Sequence, residues 1–184
     1  MSDVVLAMFM SLDGCFEGPD GMAPPPWSGE VAQAWSGENL ANAAHLIYGR
    51  ANFAFNKDFW TSPAAADAPQ TATMNRLPKT VVSGAMSGDP GWNGTVVRGA
   101  DLAGRIAELK RDLTGDIYSF GGAVLARSLL LADLVDVVRL MVTPQLLGGG
   151  KRLFSPDQPP TSLTFVSARP LDVGSVILTY RRER

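Results

Sequence analysis

Five short segments of this chain carry residue types that bind anions or move protons. The most specific is IYSFGGAVLARSLLL, residues 117–131, where an apolar run meets Gly121-Gly122 and passes directly into a second apolar run. Two glycines at such a junction let the backbone come close to a ligand. A helix starting behind them would offer free N–H groups and a positive dipole end, which suits a phosphate. The same glycines would also serve a plain tight turn from strand to helix, and no GxGxxG motif accompanies them.

The second segment is LIYGR, residues 46–50. Arg50 would stand at the carboxyl end of a strand, where ligands bind in open α/β sheets. Its guanidinium can pair bidentately with a phosphate, and a surface salt bridge is the other reading. KTVVS, residues 79–83, ends on Ser83, whose hydroxyl either bonds a phosphate or caps a turn. TPQLLGGGKRL, residues 143–153, sets Gly148–Gly150 beside Lys151 and Arg152, as a nest facing an anion or as a flexible connection. SLDG, residues 11–14, places Asp13 after the first apolar run. Asp-Gly is a turn signal, and Asp13 is also a candidate site carboxylate.

Composition excludes other chemistries. Cys15 and His45 are the only Cys and His in 184 residues. A structural zinc site takes about four such ligands, so none is expected, and a Ser-His-Asp triad would have to use His45. With 16 Lys and Arg against 18 Asp and Glu, and the basic residues dispersed, nucleic acid is not an expected partner. The short basic end at Arg181, Arg182 and Arg184 reads as a solvated tail. The start, MSDVVLAMFMSLDG, lacks a basic region before its apolar run and does not read as a signal peptide. No apolar stretch reaches the roughly 18 residues of a membrane helix. A cytoplasmic protein is the expectation. Only 18% of residues are charged, below the roughly 25% of an average domain, which hints at a face covered by a subunit or a bulky ligand.

The elements that must position these residues follow from the apolar patterning. Val4–Met10, Thr80–Val82 and Val135–Val142 are β-branched runs and predict strands, as do the shorter Leu46–Tyr48, Thr95–Val97 and Ile117–Phe120. Leu163–Ser167 and Val176–Tyr180 predict a closing antiparallel hairpin. Ala103–Leu113 has Ile106, Leu109 and Leu113 on one helical face, with Asp101 as a candidate N-cap. Ala123–Leu131 predicts a buried helix, Gly29–Ala44 a weaker one with Val31, Trp35 and Leu40 inward, and Ala72–Leu77 a single turn. Alternation of this kind gives a largely parallel sheet with helices on its faces, made mixed by the hairpin. The loops 22–27 and 62–70 interrupt one domain, residues 1–184, without dividing it.

Taken in order, SLDG, YGR, VVS, FGGAVLARSLLLADLVD, LMVTPQLLGGGKRLF and the ending VSARPLDVGSVILTYRR give a chain that resembles the dihydrofolate reductase-like superfamily. Within it the chain is most similar to the reductase domain of bacterial riboflavin biosynthesis and its stand-alone relatives. The resemblance covers nearly the whole chain, and Gly121–Phe154 is its most specific part. It implies a three-layer α/β/α sandwich around a mixed sheet, an NADPH cleft, and hydride transfer to a small pyrimidine- or pterin-like heterocycle or an open-chain ribose. It also implies a homodimer, with Val135–Val142 and the closing hairpin as candidate interface elements. The sequence shows neither the HxE nor the CxxC zinc ligands of the deaminase that often accompanies the reductase in that family. A stand-alone relative with another substrate is therefore expected, its pocket reshaped by the Pro-rich loop 22–27 and the Ala-rich loop 62–70.

By the same resemblance, Gly49 and Arg50 match a motif whose Arg lies near the adenosine 2′-phosphate, and Ser83 falls in the adenosine-side region. Gly121, Gly122, Ala123, Val124 and Leu125 match the turn and helix start that hold the pyrophosphate. Asp13, Trp27, Phe53 and the stretch from Pro144 to Gly149, with Leu147 in it, fall around the nicotinamide and substrate. Folate reductases place a proton-donating acid on the first helix. Glu30 and Glu38 lie in the corresponding helix without a matching local motif, and Asp13 or water are the alternatives. His45 is expected to be structural. Two other readings stay open: a non-catalytic, dimeric nucleotide-binding protein of the same fold, and a true dihydrofolate reductase.

Overall fold

The structure is a computed structural model and describes residues 2–21, 23–154 and 160–183. Strand β1 (Val4–Ser11) lies at the centre of the sheet. Val4, Leu6 and Met8 face one apolar cluster, and Val5 and Ala7 face the other. Burial on both faces is why a parallel strand reads as an unbroken apolar run instead of an alternating one. β1 pairs in parallel with β6 (Asp116–Phe120) on one side and β7 (Val137–Thr143) on the other.

The remaining strands extend both ways. β3 (Ala43–Gly49), β4 (Lys79–Val82) and β5 (Gly94–Val97) continue the parallel array beyond β6. Beyond β7 lie β10 (Val176–Arg182) and β9 (Leu163–Pro170), joined as the antiparallel hairpin the sequence predicts. The eight-stranded order is β5-β4-β3-β6-β1-β7-β10-β9. A second, two-stranded sheet pairs β2 (Cys15–Glu17) with β8 (Lys151–Arg152), and nothing in the sequence pattern announces it.

Helices cover both faces. On one, α5 (Leu102–Asp112) and α6 (Ala123–Leu131) bury Leu102, Ile106, Leu109, Leu125, Ala126 and Leu129 against Val4, Leu6, Ile117 and Leu140. On the other, α1 (Gly29–Val31) runs through a π-helical segment (Ala32–Gly37) into α2 (Glu38–Ala41). Val31, Ala34 and Trp35 from this stretch pack with Phe53 of α3 (Arg50–Trp60) and Met74 of α4 (Thr71–Arg76). The result is a three-layer α/β/α sandwich of dihydrofolate reductase type.

Local differences from expectation have local causes. The helix predicted over Gly29–Ala44 is broken by the π segment and ends at Ala41, because β3 already begins at Ala43. β7 begins at Val137, not Val135, because the Asp136 carboxylate accepts the Val4 N–H at 2.7 Å and pairs with Lys110. Asp101 caps nothing with its side chain; a 3-10 turn (Gly99–Asp101) leads into α5 instead. His45 is structural as expected: it is buried, its Nε2 lies 2.9 Å from Thr80 Oγ1, and burial pushes its pKa down to about 4. No described helix is long and apolar enough to cross a membrane.

Candidate functional site: a cleft at the strand ends

β3 ends on Gly49 and β6 on Phe120, and a helix begins at once after each. Gly121 (φ 78°) and Gly122 (φ 85°) occupy the left-handed region that side-chain-bearing residues enter only at a cost. This turn aims the start of α6 back over the sheet. Neither Gly49 before α3 nor Gly122 before α6 supplies a side-chain cap. The first N–H groups of both helices therefore lack side-chain partners at the same end of the sheet.

Both helix starts line one cavity of about 860 Å3, with Gly49, Arg50, Ala51 and Asn52 on one side and Gly122, Ala123, Val124 and Leu125 on the other. Gly99, Leu102 and Ala103, at the start of α5, line it as well. Each helix start carries roughly half a positive charge, so the cavity favours anions before any side chain is considered. Its charged lining residues are Arg50, Lys151 and Glu17. Arg50 is exposed and makes no ion pair among the described residues, while Lys151 Nζ and Glu17 Oε2 are 2.6 Å apart. The uncapped helix starts, the side-chain-free glycines and the free guanidinium together fit the phosphates of a dinucleotide.

Asn52 is a site residue the sequence reading missed. Its Nδ2 donates to the Phe120 carbonyl at 2.6 Å, holding α3 to the diglycine turn, and its own Oδ1 accepts from Asn56 at 3.1 Å. Phe16 is another: it lines the cavity and lies about 3.5 Å from where a Gly121 Cβ would stand. Nothing local marks either one, because the contacts that bring them to the cleft, with Phe120 and Gly121, are made far away in the chain.

The remaining expected residues lie outside this cavity's lining. Ser83 is buried, and its Oγ accepts the N–H groups of Ala85 (3.2 Å) and Met86 (3.0 Å), so it caps its own turn. Phe53 is 2% exposed and sits in the core, 5.5 Å from the Trp92 ring and 6.3 Å from Tyr48. It is therefore a packing residue of this core. Trp27 is half exposed and stands edge-on to Phe9 at 6.2 Å, on the α1 side of the sheet. Pro144 abuts the β9–β10 turn at Gly174, and Leu147 packs against Gly18.

The three candidate acids, Asp13, Glu38 and Glu30, are all engaged. Asp13 accepts Ser11 Oγ–H (2.6 Å), Leu147 N–H (3.1 Å) and Gly148 N–H (2.8 Å), and these bonds lower its pKa to about 2. A carboxylate held so low does not donate a proton at neutral pH. For Glu38, burial alone would raise the pKa. Hydrogen bonds from Arg139 (2.9 Å) and Arg169 (2.6 Å) outweigh it and hold the carboxyl below its usual range. Glu38 and Glu30 thus fasten the α1–α2 stretch to the sheet: Glu30 accepts the Asp172 N–H in the β9–β10 turn, and Arg169 stands 3.5 Å from it.

The pattern of the RibD C-terminal domain matches residues 2–177. The uncharacterised protein YyaP of Bacillus subtilis is 25% identical over 181 residues, covering 96% of this chain and 93% of that one. A putative riboflavin biosynthesis protein from Shewanella superposes with a TM-score of 0.79 at 24% identity over 99% of both chains. The dihydrofolate reductase of Enterococcus faecalis, solved with NADP(H), superposes with a TM-score of 0.64 at 15% identity over 99% of this chain and 97% of that one. At those identities the two solved structures speak for the fold. The match along nearly the whole sequence speaks for more, and the chain belongs to the RibD C-terminal domain family.

Proposed function

We propose that the chain is an NADPH-dependent reductase that passes hydride to a small pyrimidine- or pterin-like heterocycle or to an open-chain ribose attached to one. The observation that carries this reading is the pair of uncapped helix starts, at Gly49 and Gly122, opening on one cavity with Arg50 at its edge. When bound, the dinucleotide supplies the hydride from its nicotinamide ring. The chain's own part is to bind, orient and exclude water. The N–H groups of Ala123, Val124 and Leu125 receive the pyrophosphate. Arg50 receives the 2′-phosphate, because a guanidinium suits it where an NAD site carries an acid. Asp13 positions the loop 144–149 from its post-β1 turn, and with the Asp13 and Glu38 carboxylates held ionised, water delivers the proton to the reduced atom.

Titration of the protein with NADPH and NADH tests this reading. Micromolar binding of NADPH, tighter than NADH, is the expected result, and binding of neither ends the proposal. A second reading, a nucleotide-binding protein without turnover, is favoured by the engagement of Asp13 and Glu38. Steady NADPH consumption with a screened pterin or pyrimidine substrate excludes it. A true dihydrofolate reductase would oxidise NADPH with dihydrofolate, and no such oxidation is expected.

We also propose a homodimer through the hairpin edge. β9 is exposed along its whole length and shows Leu163, Phe165 and Val166 to solvent. An open apolar edge strand of this kind invites pairing with another chain. One chain weighs 19.6 kDa, so light scattering at twice that mass is expected, and scattering at that mass alone would contradict it.

A further inference from the structure

We propose that Lys151 is a second phosphate-binding cation of the cleft, held in place by Glu17 until the pyrophosphate arrives. This rests on the reading of the cavity as a dinucleotide site. Both residues line that cavity together with the start of α6. Glu17 and Lys151 face each other across the β2–β8 pair.

The local backbone fixes that pairing. Gly150 adopts φ 113°, and a Cβ there would overlap the Glu17 carbonyl oxygen, so only glycine lets these two backbones touch. The two-stranded arm is tied to the cleft from several sides. Phe16 rests on Gly121, and Arg127 of α6 donates to the carbonyls of Arg152 and Leu153. The arm therefore stands in fixed relation to the helix start that would hold the pyrophosphate.

Apart from Arg50, assigned to the 2′-phosphate, the neighbouring cations Arg127 and Arg152 are committed elsewhere. Arg152 Nη1 donates to the Asp13 carbonyl at 2.8 Å, and Arg127 holds the arm. Lys151 is different: its side chain is 65% exposed, and among the described residues its carboxylate partner is Glu17. A pair with one partner this exposed contributes little to stability, so exchanging it for a pyrophosphate, which carries two negative charges over its two phosphates, is easy. Lys151 also shields the phosphates from Glu17, the one acid among the described residues of the cavity wall. Removing Lys151 should therefore cost more than losing one hydrogen bond.

The test is titration of wild type, Lys151→Met and Glu17→Gln with NADPH and with NADH, followed by fluorescence. Lys151→Met should weaken both nucleotides equally and by more than about tenfold, since a charge-assisted bond is lost and Glu17 is left unshielded beside the phosphates. Glu17→Gln should tighten both, and Lys151→Arg should retain binding. The melting temperature of the nucleotide-free Lys151→Met protein should stay at the wild-type value, which separates binding from folding. Unchanged binding by Lys151→Met overturns the inference while leaving the dinucleotide site intact. A loss confined to NADPH moves Lys151 to the 2′-phosphate and overturns the pyrophosphate assignment. Weaker binding by Glu17→Gln makes the ion pair a structural strut and also overturns it. Wild type that binds neither nucleotide overturns the proposed function itself.

Discussion

The carboxylate of Asp13 accepts the backbone N–H of Gly148 at 2.8 Å, joining the loop after β1 to the loop after β7 across 135 residues. The neighbouring N–H of Leu147 reaches the other carboxylate oxygen at 3.1 Å, and Leu12 N–H bonds the Gln145 carbonyl at 2.9 Å beside them. Two loops that follow separate strands thus behave as one body. One charged side chain ties the loop after β1 to the loop after β7.

Asp13→Asn should therefore loosen the contact between these two loops and not remove a proton donor. The folded pKa is about 2 against an ordinary 3.8. The carboxylate's contribution is fully present above the unfolded value and is lost as pH falls from about 4 through 2. Melting curves of wild type and Asp13→Asn should differ at neutral pH and converge on acidification through that window. The pH–rate profile should keep its shape in the variant, and loss of one limb would make Asp13 the acid after all.

Arg50→Ala should weaken NADPH by about 1–3 kcal/mol, the range of a charge-assisted bond, and leave NADH nearly unchanged. The exposed guanidinium has no ion pair to release among the described residues, so the change should appear in binding and not in stability. Equal weakening of both nucleotides would remove its role in telling them apart.

Glycine substitutions should separate backbone strain from collision. Gly122→Ala places its Cβ 3.6 Å from Asn52, an ordinary contact, so the cost is the left-handed φ alone. That cost is about 1–2 kcal/mol, read as a lower melting temperature. Gly150→Ala meets both the left-handed φ and overlap with the Glu17 backbone. It should destabilise more than Gly122→Ala and should also loosen the β2–β8 arm. Equal effects would show that the arm yields freely.

Lys79 offers a test far from the cleft. It is fully buried, with Nζ donating to the Met74 and Leu77 carbonyls at 2.6 Å and lying 4.0 Å over the Trp92 ring. Burial lowers its pKa from 10.5 to about 8. Between those values the unfolded chain holds the proton more tightly, so this group makes stability rise with pH from about 8 to 10.5 and leaves it unchanged below 8. Lys79→Met should abolish that slope in denaturant melts. A slope that persists in the variant belongs to another group.

The strands that build the sheet were legible because burial on both faces leaves an apolar signature, as in Val4–Met10 and Val135–Val142. The diglycine turn was legible because left-handed backbone demands glycine. Helix α3 was half hidden: Phe53 is buried while Phe55 and Phe59 are exposed, so its aromatic residues do not form one inward stripe. The fate of Glu38 was invisible, because Arg139 and Arg169 lie 101 and 131 residues away. The hydroxyl of Ser83 was ambiguous in the sequence, since capping and phosphate binding ask for the same residue. Its bonds to Ala85 and Met86 are local.

The joining of residues 13–17 to residues 147–152 has a consequence for how the protein folds. Closing so long a loop is entropically unfavourable and slow compared with forming adjacent helices. The sheet between β1 and β6 can pair before β8 exists, but the roof over the diglycine turn cannot. A chain emerging from synthesis therefore cannot close this roof until residues 147–152 have been made.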